Sequence, residues 1–530
     1  MLILVASTLI LSHEESRNVL EETFQFLVPI AADHLVFLLA LTICAAILCL
    51  ILKRRSKTSH QKKQGAYGVV QTHSHSLLAQ LKHPNEVFAA LRFLLQKKIA
   101  KSSKNVTELE STMWGHLNAT SRSFAAVIRT LPAPEVSDSV CIFYLLLRAL
   151  DTIEDEMELI KFEPFKAAGE TCIETKVRLL RTFYEILDDH PNTSFPMQKI
   201  TTSNIGKGAE KALLDDLPKL IEAFHMVKEK SVIKQIVLDM GNGMADYVVR
   251  DMKLGTTDLL DYNQYCHIVA GLVGKGLTEI FSNLGYEDKN LVTDFQSWNS
   301  MGLLLQKTNI TRDVCEDAAE SRSWWPQSVW KKNGCESLNE LRDISILNTM
   351  IADCLKLVPD AFGYLDALKT NSIFIFCAIP QIMAIATLLE CYNNEKVFTG
   401  VVKIRAGQAA FLMQQLNEPT LTKSKSNFRL CLIDLLSSLR QKAVMIQDFQ
   451  TIAACDQALS LCKEEVRKMK AKKVSTTPAE IFMFYSFYLS IVWILQNSSS
   501  YMKPFVPLNF EFLKCVILGL LTLFLIKVQK

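Results

Sequence analysis

The chain carries the spacing D-x-x-E-D twice, as "DTIED" at 151–155 and "DVCED" at 313–317, each time inside a run that otherwise reads as an apolar helix. Carboxylates set in such runs restrict the fold severely, because several anions taken out of water must protonate, pair with arginine or bind cations. A helix turns about 100 degrees per residue, so Tyr144, Arg148, Asp151 and Asp155 share one face within roughly 60 degrees. The same construction lines up Asn309, Asp313 and Glu316, with Asp317 at the edge of the stripe and Arg312 beside it. Cys141 to Leu150 is nearly all apolar, so the first stripe is expected to face a cavity rather than bulk water. Two such stripes facing each other would wall a pocket with carboxylates. The alternative is a pair of solvated helix faces laced with ordinary salt bridges, and spacing by itself does not separate the two.

If the pocket exists, its chemistry is narrowed by what the chain lacks. None of the 14 cysteines forms a C-x-x-C pair and none of the 10 histidines an H-E-x-x-H motif, so a bound metal would be held by oxygen. Mg²⁺ fits such a donor set best, with Mn²⁺ as a second choice. Magnesium held by few carboxylates keeps positions open for substrate phosphates, and Arg122, Arg148 and Arg312 would complete an anion clamp. A net charge of +3 over 530 residues gives no bulk field for nucleic acid.

Helical patterning and few alternating runs predict one large all-α domain over 77–470, with no fixed-period repeat. Before it come an N-terminal segment (1–34), an uncharged apolar run at 35–52 of spanning length, and a basic polar linker (53–76). Lys53, Arg54 and Arg55 follow the apolar run at once, which by charge bias puts the bulk of the chain in the cytosol. The tail (471–530) is expected to associate with a membrane through apolar runs at 481–495 and 515–526. Five N-x-S/T sequons begin at Asn105, Asn118, Asn192, Asn309 and Asn497.

Five blocks carry a resemblance: "TSRSFAAVI" (120–128), "FYLLLRALDTIEDEM" (143–157), "YCHIVAGLVGKGL" (265–277), "MGLLLQKTNITRDVCED" (301–317) and "FCAIPQIMAIATL" (376–388). In this order they resemble the squalene synthases, farnesyl-diphosphate farnesyltransferases of the squalene/phytoene synthase family, from about Leu81 to about residue 460. The resemblance implies an all-α isoprenoid-synthase bundle around a central cavity. It implies head-to-head joining of two farnesyl diphosphates to presqualene diphosphate, followed by reduction to squalene with NADPH. Asp151, Glu154, Asp155, Asp313 and Asp317 would bind Mg²⁺ and diphosphate, and Ser121, Arg122, Phe124, Tyr144, Arg148, Asn309, Arg312 and Phe376 would contact substrate. The resemblance gives Tyr265 the proton transfer, assisted by the pyrophosphate or by basic surroundings; a phenol of ordinary pKa near 10 is a poor base unless neighbouring arginines depress it.

Lys403 and Arg405, in "VVKIRAGQAA", resemble the segment that holds the NADPH phosphates, with Arg122, Arg148 and Arg312 as further cofactor contacts. His267 is read as structural, and the glycines of "GLVGKG" (271–276) as close-packing positions rather than a dinucleotide fingerprint. Three residues depart from the family pattern: Glu156 for the usual Asp, Val314 for Tyr and Trp324 for Phe. These leave open a relative that stops at presqualene diphosphate or makes another C30 product without reductant. A membrane-anchored scaffold without activity is the rival of another class. The expected setting is the endoplasmic reticulum membrane, with the catalytic domain facing the cytosol and acting as a monomer.

Overall fold

The first acidic run is helical from Pro134 to Asp155 (α1), opened by a proline at its first position and by Glu135 in its first turn. The chain leaves this helix at Glu156, whose backbone is extended. Glu156 is 7 % exposed and accepts hydrogen bonds from Lys161 Nζ (2.8 Å), Glu158 N (3.1 Å) and Gly206 N (3.2 Å). Gly206 needs its positive φ of 76°, and a Cβ there would meet the Thr152 methyl at 2.6 Å. From the neighbouring helix Cys172–Thr182 (α2), Lys176 Nζ donates to the main-chain carbonyls of Glu154 and Glu156. A buried lysine thus satisfies the orphan acceptors at the end of α1, and the acidic motif sits on the last turn of a capped helix.

The computed structural model describes residues 70–75, 79–80, 82–99, 108–188, 194–320, 322–331 and 343–469. The apolar runs at 35–52, 481–495 and 515–526 lie outside the described residues. Helix Lys230–Val248 (α3) packs against α2 where Gly241 faces the Leu180 carbonyl. Helix Leu259–Cys266 (α4) passes through one π-helical turn, His267–Gly271, into Leu272–Asn283 (α5). Phe295–Arg312 (α6) lies close against this turn, because a Cβ at Gly271, Gly274 or Gly302 would collide with Asn299, the Trp298 carbonyl or the Ala270 carbonyl respectively. The "GLVGKG" glycines are close-packing positions, as read from the sequence. His267, half-buried, shares a 2.8 Å hydrogen bond with Asn299.

The second acidic run breaks at Asp313 (φ −97°, ψ 10°) into α6 and a short helix, Val314–Ala319 (α7). Asn371–Cys391 (α8) is long and apolar enough to cross a membrane, yet 78 % of its most apolar window is buried within the bundle, which makes it a core helix. Two three-residue strands, β1 (Gln71–His73) and β2 (Gly400–Val402), pair in parallel in the register Gln71↔Gly400. β1 falls inside the stretch expected to be a solvated linker. Its backbone ladder and a 3.0 Å contact of His73 Nε2 with Thr399 Oγ1 hold it there, and neither leaves a hydropathy pattern.

Candidate active site

The last turn of α1, the α6–α7 junction and the π-turn after α4 converge on one open cleft. Arg148, Asp151, Glu154 and Asp155 line it from α1. Asn309, Arg312, Asp313 and Asp317 line it from the opposite wall, and Tyr265, Trp324 and Arg322 close it. Gln306, Met244, Val269 and Ile310 fill the remaining lining.

The two acidic walls meet on one guanidinium. Arg322 Nη1 donates to Asp155 Oδ1 at 2.7 Å, Nε lies 3.4 Å from Asp317 Oδ1, and Nη2 lies 3.2 Å from Glu320 Oε2. The motif side chains therefore face one another rather than solvent. Arg148 stands 3.8 Å from Asp151 and 3.9 Å from Glu210, while Arg312 grips Asp313 through Nε (2.7 Å) and Nη2 (2.5 Å).

Even so, carboxylates outnumber the cations between them. Burial, and after it the charges of Asp155, Glu154 and Glu210, pushes Asp151 up to about 7 despite Arg148. Burial and the neighbouring Asp313, Glu320 and Asp155 bring Asp317 up to about 7 against Arg322. Glu154 is raised by burial and by Asp155, with Lys176 and Arg322 opposing. Glu320 Oε1 is buried without a hydrogen-bond partner. Such a set of hard oxygen donors, short of positive charge, fits a divalent cation such as Mg²⁺. Among the described residues no three acidic, histidine or cysteine side chains stand close enough to hold an ion as they are oriented.

Tyr265 is 5 % exposed and its ring stacks on Trp324, with centroids 3.8 Å apart. The expectation that arginines depress its phenol is not met. Burial drives it well above the usual range, Glu154 and Asp155 add to the shift, and Arg322 opposes both without reversing them. The neutral phenol is the ground state of this cleft.

Other expected contacts lie around the cleft rather than in its lining. Tyr144 stacks on Phe124 at 5.7 Å and lies under the Arg148 guanidinium at 5.8 Å, which supports the arginine from outside. Ser121 caps the helix Arg122–Ile128, accepting from Phe124 N at 3.4 Å; the Arg122 side chain lies outside what the structure describes. Phe376 is buried on α8, edge-on to Phe281 with ring centroids 5.9 Å apart, and is not among the side chains lining this cleft. Lys403 is exposed beside β2, close enough for its charge to act on Glu316. Arg405 is committed to Glu86 (2.7 and 2.8 Å) and Glu390 (3.1 Å). Sequence reasoning gave no role to Arg322, Lys176 or Glu210. The first follows the helix on a loop and the others sit on different helices, so no periodicity marked them.

Comparison with known proteins agrees with this geometry. The model of the squalene/phytoene synthase family matches residues 117–408. The squalene synthase of Mus musculus is 42 % identical over 345 residues, covering 63 % of this chain and 77 % of the relative. That of Candida albicans is 40 % identical over 354 residues, covering 63 % and 74 %. A solved complex of TcSQS with a ligand, 34 % identical, superposes with a TM-score of 0.57 over 68 % of this chain and 99 % of that one. Every residue that lines the cleft falls inside the family match, and the chain belongs to the squalene/phytoene synthase family.

Proposed function

We propose that this cleft joins two farnesyl diphosphates head to head into presqualene diphosphate and converts that intermediate to squalene with hydride from NADPH. One observation carries the reading: Asp155 of the first motif and Asp317 of the second reach the same guanidinium, so both acidic helices address one volume. Relatives named squalene synthase at 40–42 % identity support the choice of reaction.

Mg²⁺, bound by Asp151, Glu154, Asp155, Asp313 and Asp317, would supply positive charge to the departing diphosphate oxygens. Arg148 and Arg312 add fixed donors on either wall, and Asn309 adds an amide on the Arg312 wall. As the allylic carbon–oxygen bond breaks, its electrons leave with diphosphate. The double bond of the second farnesyl chain then attacks the cationic carbon. The stacked Tyr265–Trp324 pair lines the cleft and would shield that carbon from water.

Cyclopropane closure releases a proton. A phenol held neutral acts as a relay: Tyr265 oxygen accepts the proton from carbon while its own hydroxyl proton passes to a diphosphate oxygen. No free phenolate is required, which suits the raised pKa. NADPH would supply hydride in the second half-reaction, and exposed Lys403 offers a cation to its phosphates, with Arg405 anchoring the same segment.

Incubation with farnesyl diphosphate and Mg²⁺ tests this reading. Presqualene diphosphate should accumulate without NADPH and squalene should appear with it; an identical hydrocarbon in both reactions would overturn the assignment. The enzyme is further proposed to act as a monomer at the endoplasmic reticulum membrane, its catalytic domain in the cytosol, in keeping with the basic flank of the 35–52 run. The sequon at Asn118 is exposed, so glycan on it would refute that orientation.

A further inference from the structure

We propose that Arg322 is an internal counter-cation that holds the two acidic walls together before metal arrives and surrenders their carboxylates when Mg²⁺ enters. The inference rests on the magnesium reading of the cleft and adds to it a competitor built into the chain.

Three observations carry it. The guanidinium spans the cleft, reaching Asp155 on α1 at 2.7 Å, Asp317 on α7 at 3.4 Å and Glu320 at 3.2 Å. It is fixed from behind: Trp324, two residues on, stacks on Tyr265 and accepts a hydrogen bond at its carbonyl from Thr256 Oγ1 (3.0 Å), and Gln327 N donates to the Thr256 carbonyl at 2.8 Å. The carboxylates it holds belong to the donor set that a divalent ion would need, and as they are oriented no three of them converge on an ion site. Two other cations lie near the first motif and neither bridges the walls: Lys176 donates to the main-chain carbonyls of Glu154 and Glu156, and Arg148 stands 3.8 Å from Asp151 and 3.9 Å from Glu210. Metal and Arg322 thus compete for the same oxygens, and binding of one must weaken the other by the same factor. Once displaced, the guanidinium gains freedom to donate its forked N–H groups to the diphosphate that accompanies the metal. The chain would thereby favour loading of metal and diphosphate together over metal alone.

The test is thermal unfolding of the full chain titrated with MgCl₂, with and without inorganic pyrophosphate, for wild type, Arg322→Met and Arg322→Lys. Wild type should respond weakly to MgCl₂ alone and strongly to MgCl₂ with pyrophosphate. Arg322→Met should respond to MgCl₂ alone, with half-saturation lowered at least about fivefold, the lower end of ordinary coupling between sites. Arg322→Lys keeps the charge but has no fork to span both walls, and it should shift in the same direction, so the test stands even if the methionine variant does not fold. Half-saturation unchanged or raised in the folded variants would overturn the inference while leaving the metal reading intact. Absence of any magnesium response in wild type, even with pyrophosphate, would overturn the metal reading and this inference with it.

Discussion

The indole of Trp324 lies flat on the ring of Tyr265, their centroids 3.8 Å apart and their planes 11° from parallel. Tyr247 meets the same tyrosine edge-on at 5.1 Å, and its own hydroxyl is held by the Asp261 carboxylate (2.8 Å) and main-chain carbonyl (3.0 Å). Tyr265 is therefore clamped between a locked tryptophan and a locked tyrosine just ahead of a π-helical turn, a distortion often found beside functional residues. The indole thus covers one face of the phenol ring.

Trp324→Phe should retain the fold, losing about 1–2 kcal/mol, and shift product toward presqualene diphosphate released before reduction, because a narrower ring leaves the cation less shielded. Trp324→Ala should cost about 3 kcal/mol and free Tyr265 to reorient. Chromatography of products with NADPH in excess, together with melting curves, checks both. An unchanged product ratio in Trp324→Ala would rule out a shielding role.

Tyr265→Phe keeps both ring contacts and removes only the hydroxyl. Its melting temperature should match wild type, while formation of presqualene diphosphate falls by about 10²-fold or more, as expected for loss of a proton relay. Reduction of supplied presqualene diphosphate should suffer less, since that step removes no proton. Equal loss in both half-reactions would place the hydroxyl in substrate binding instead.

The legible part of the cleft was the part written on helices. A 3.6-residue period put Arg148, Asp151 and Asp155 on one stripe and Asn309 and Asp313 on another, and burial of the flanking residues turned both stripes inward. Arg322 and the locking of Trp324 were invisible, because a loop has no period and its contacts with Thr256 cross 68 positions of sequence. Phe376 shows a related limit: α8 is apolar on nearly every face, so patterning cannot say which aromatic looks into a cavity and which into the core. Arg405 drew attention as an anion binder, yet two carboxylates distant in sequence or on the preceding helix, Glu86 and Glu390, already take up its donors.

The metal-free enzyme should lose stability as pH rises through neutrality. Asp151 and Asp317 are raised from an ordinary value near 4 to about 7, chiefly by burial and then by like charge. Between those values the folded chain retains protons that the unfolded chain has released, so unfolding becomes easier with increasing pH. The melting temperature without metal should fall by about 5 °C between pH 5 and pH 8, and excess MgCl₂ with pyrophosphate should flatten the curve by replacing protons with metal. Asp317→Asn should raise the metal-free melting temperature at pH 8 and abolish turnover. Stability rising with pH in the metal-free wild type would contradict the electrostatic account.

Lys403 and Arg405 stand two residues apart and should respond oppositely to truncation. Arg405 carries a forked pair to Glu86 and a third contact to Glu390, so alanine there strands two carboxylates and should cost about 3 kcal/mol, with losses in both half-reactions. Lys403 is exposed, and alanine there should leave the melting temperature and presqualene diphosphate formation at wild-type levels. If its ammonium holds an NADPH phosphate, the KM for NADPH should rise about tenfold, the worth of one charge-assisted hydrogen bond. Steady-state kinetics at saturating farnesyl diphosphate with NADPH varied separates the two residues. A Lys403→Ala enzyme with unaltered NADPH dependence would move the cofactor phosphates away from the β2 segment altogether.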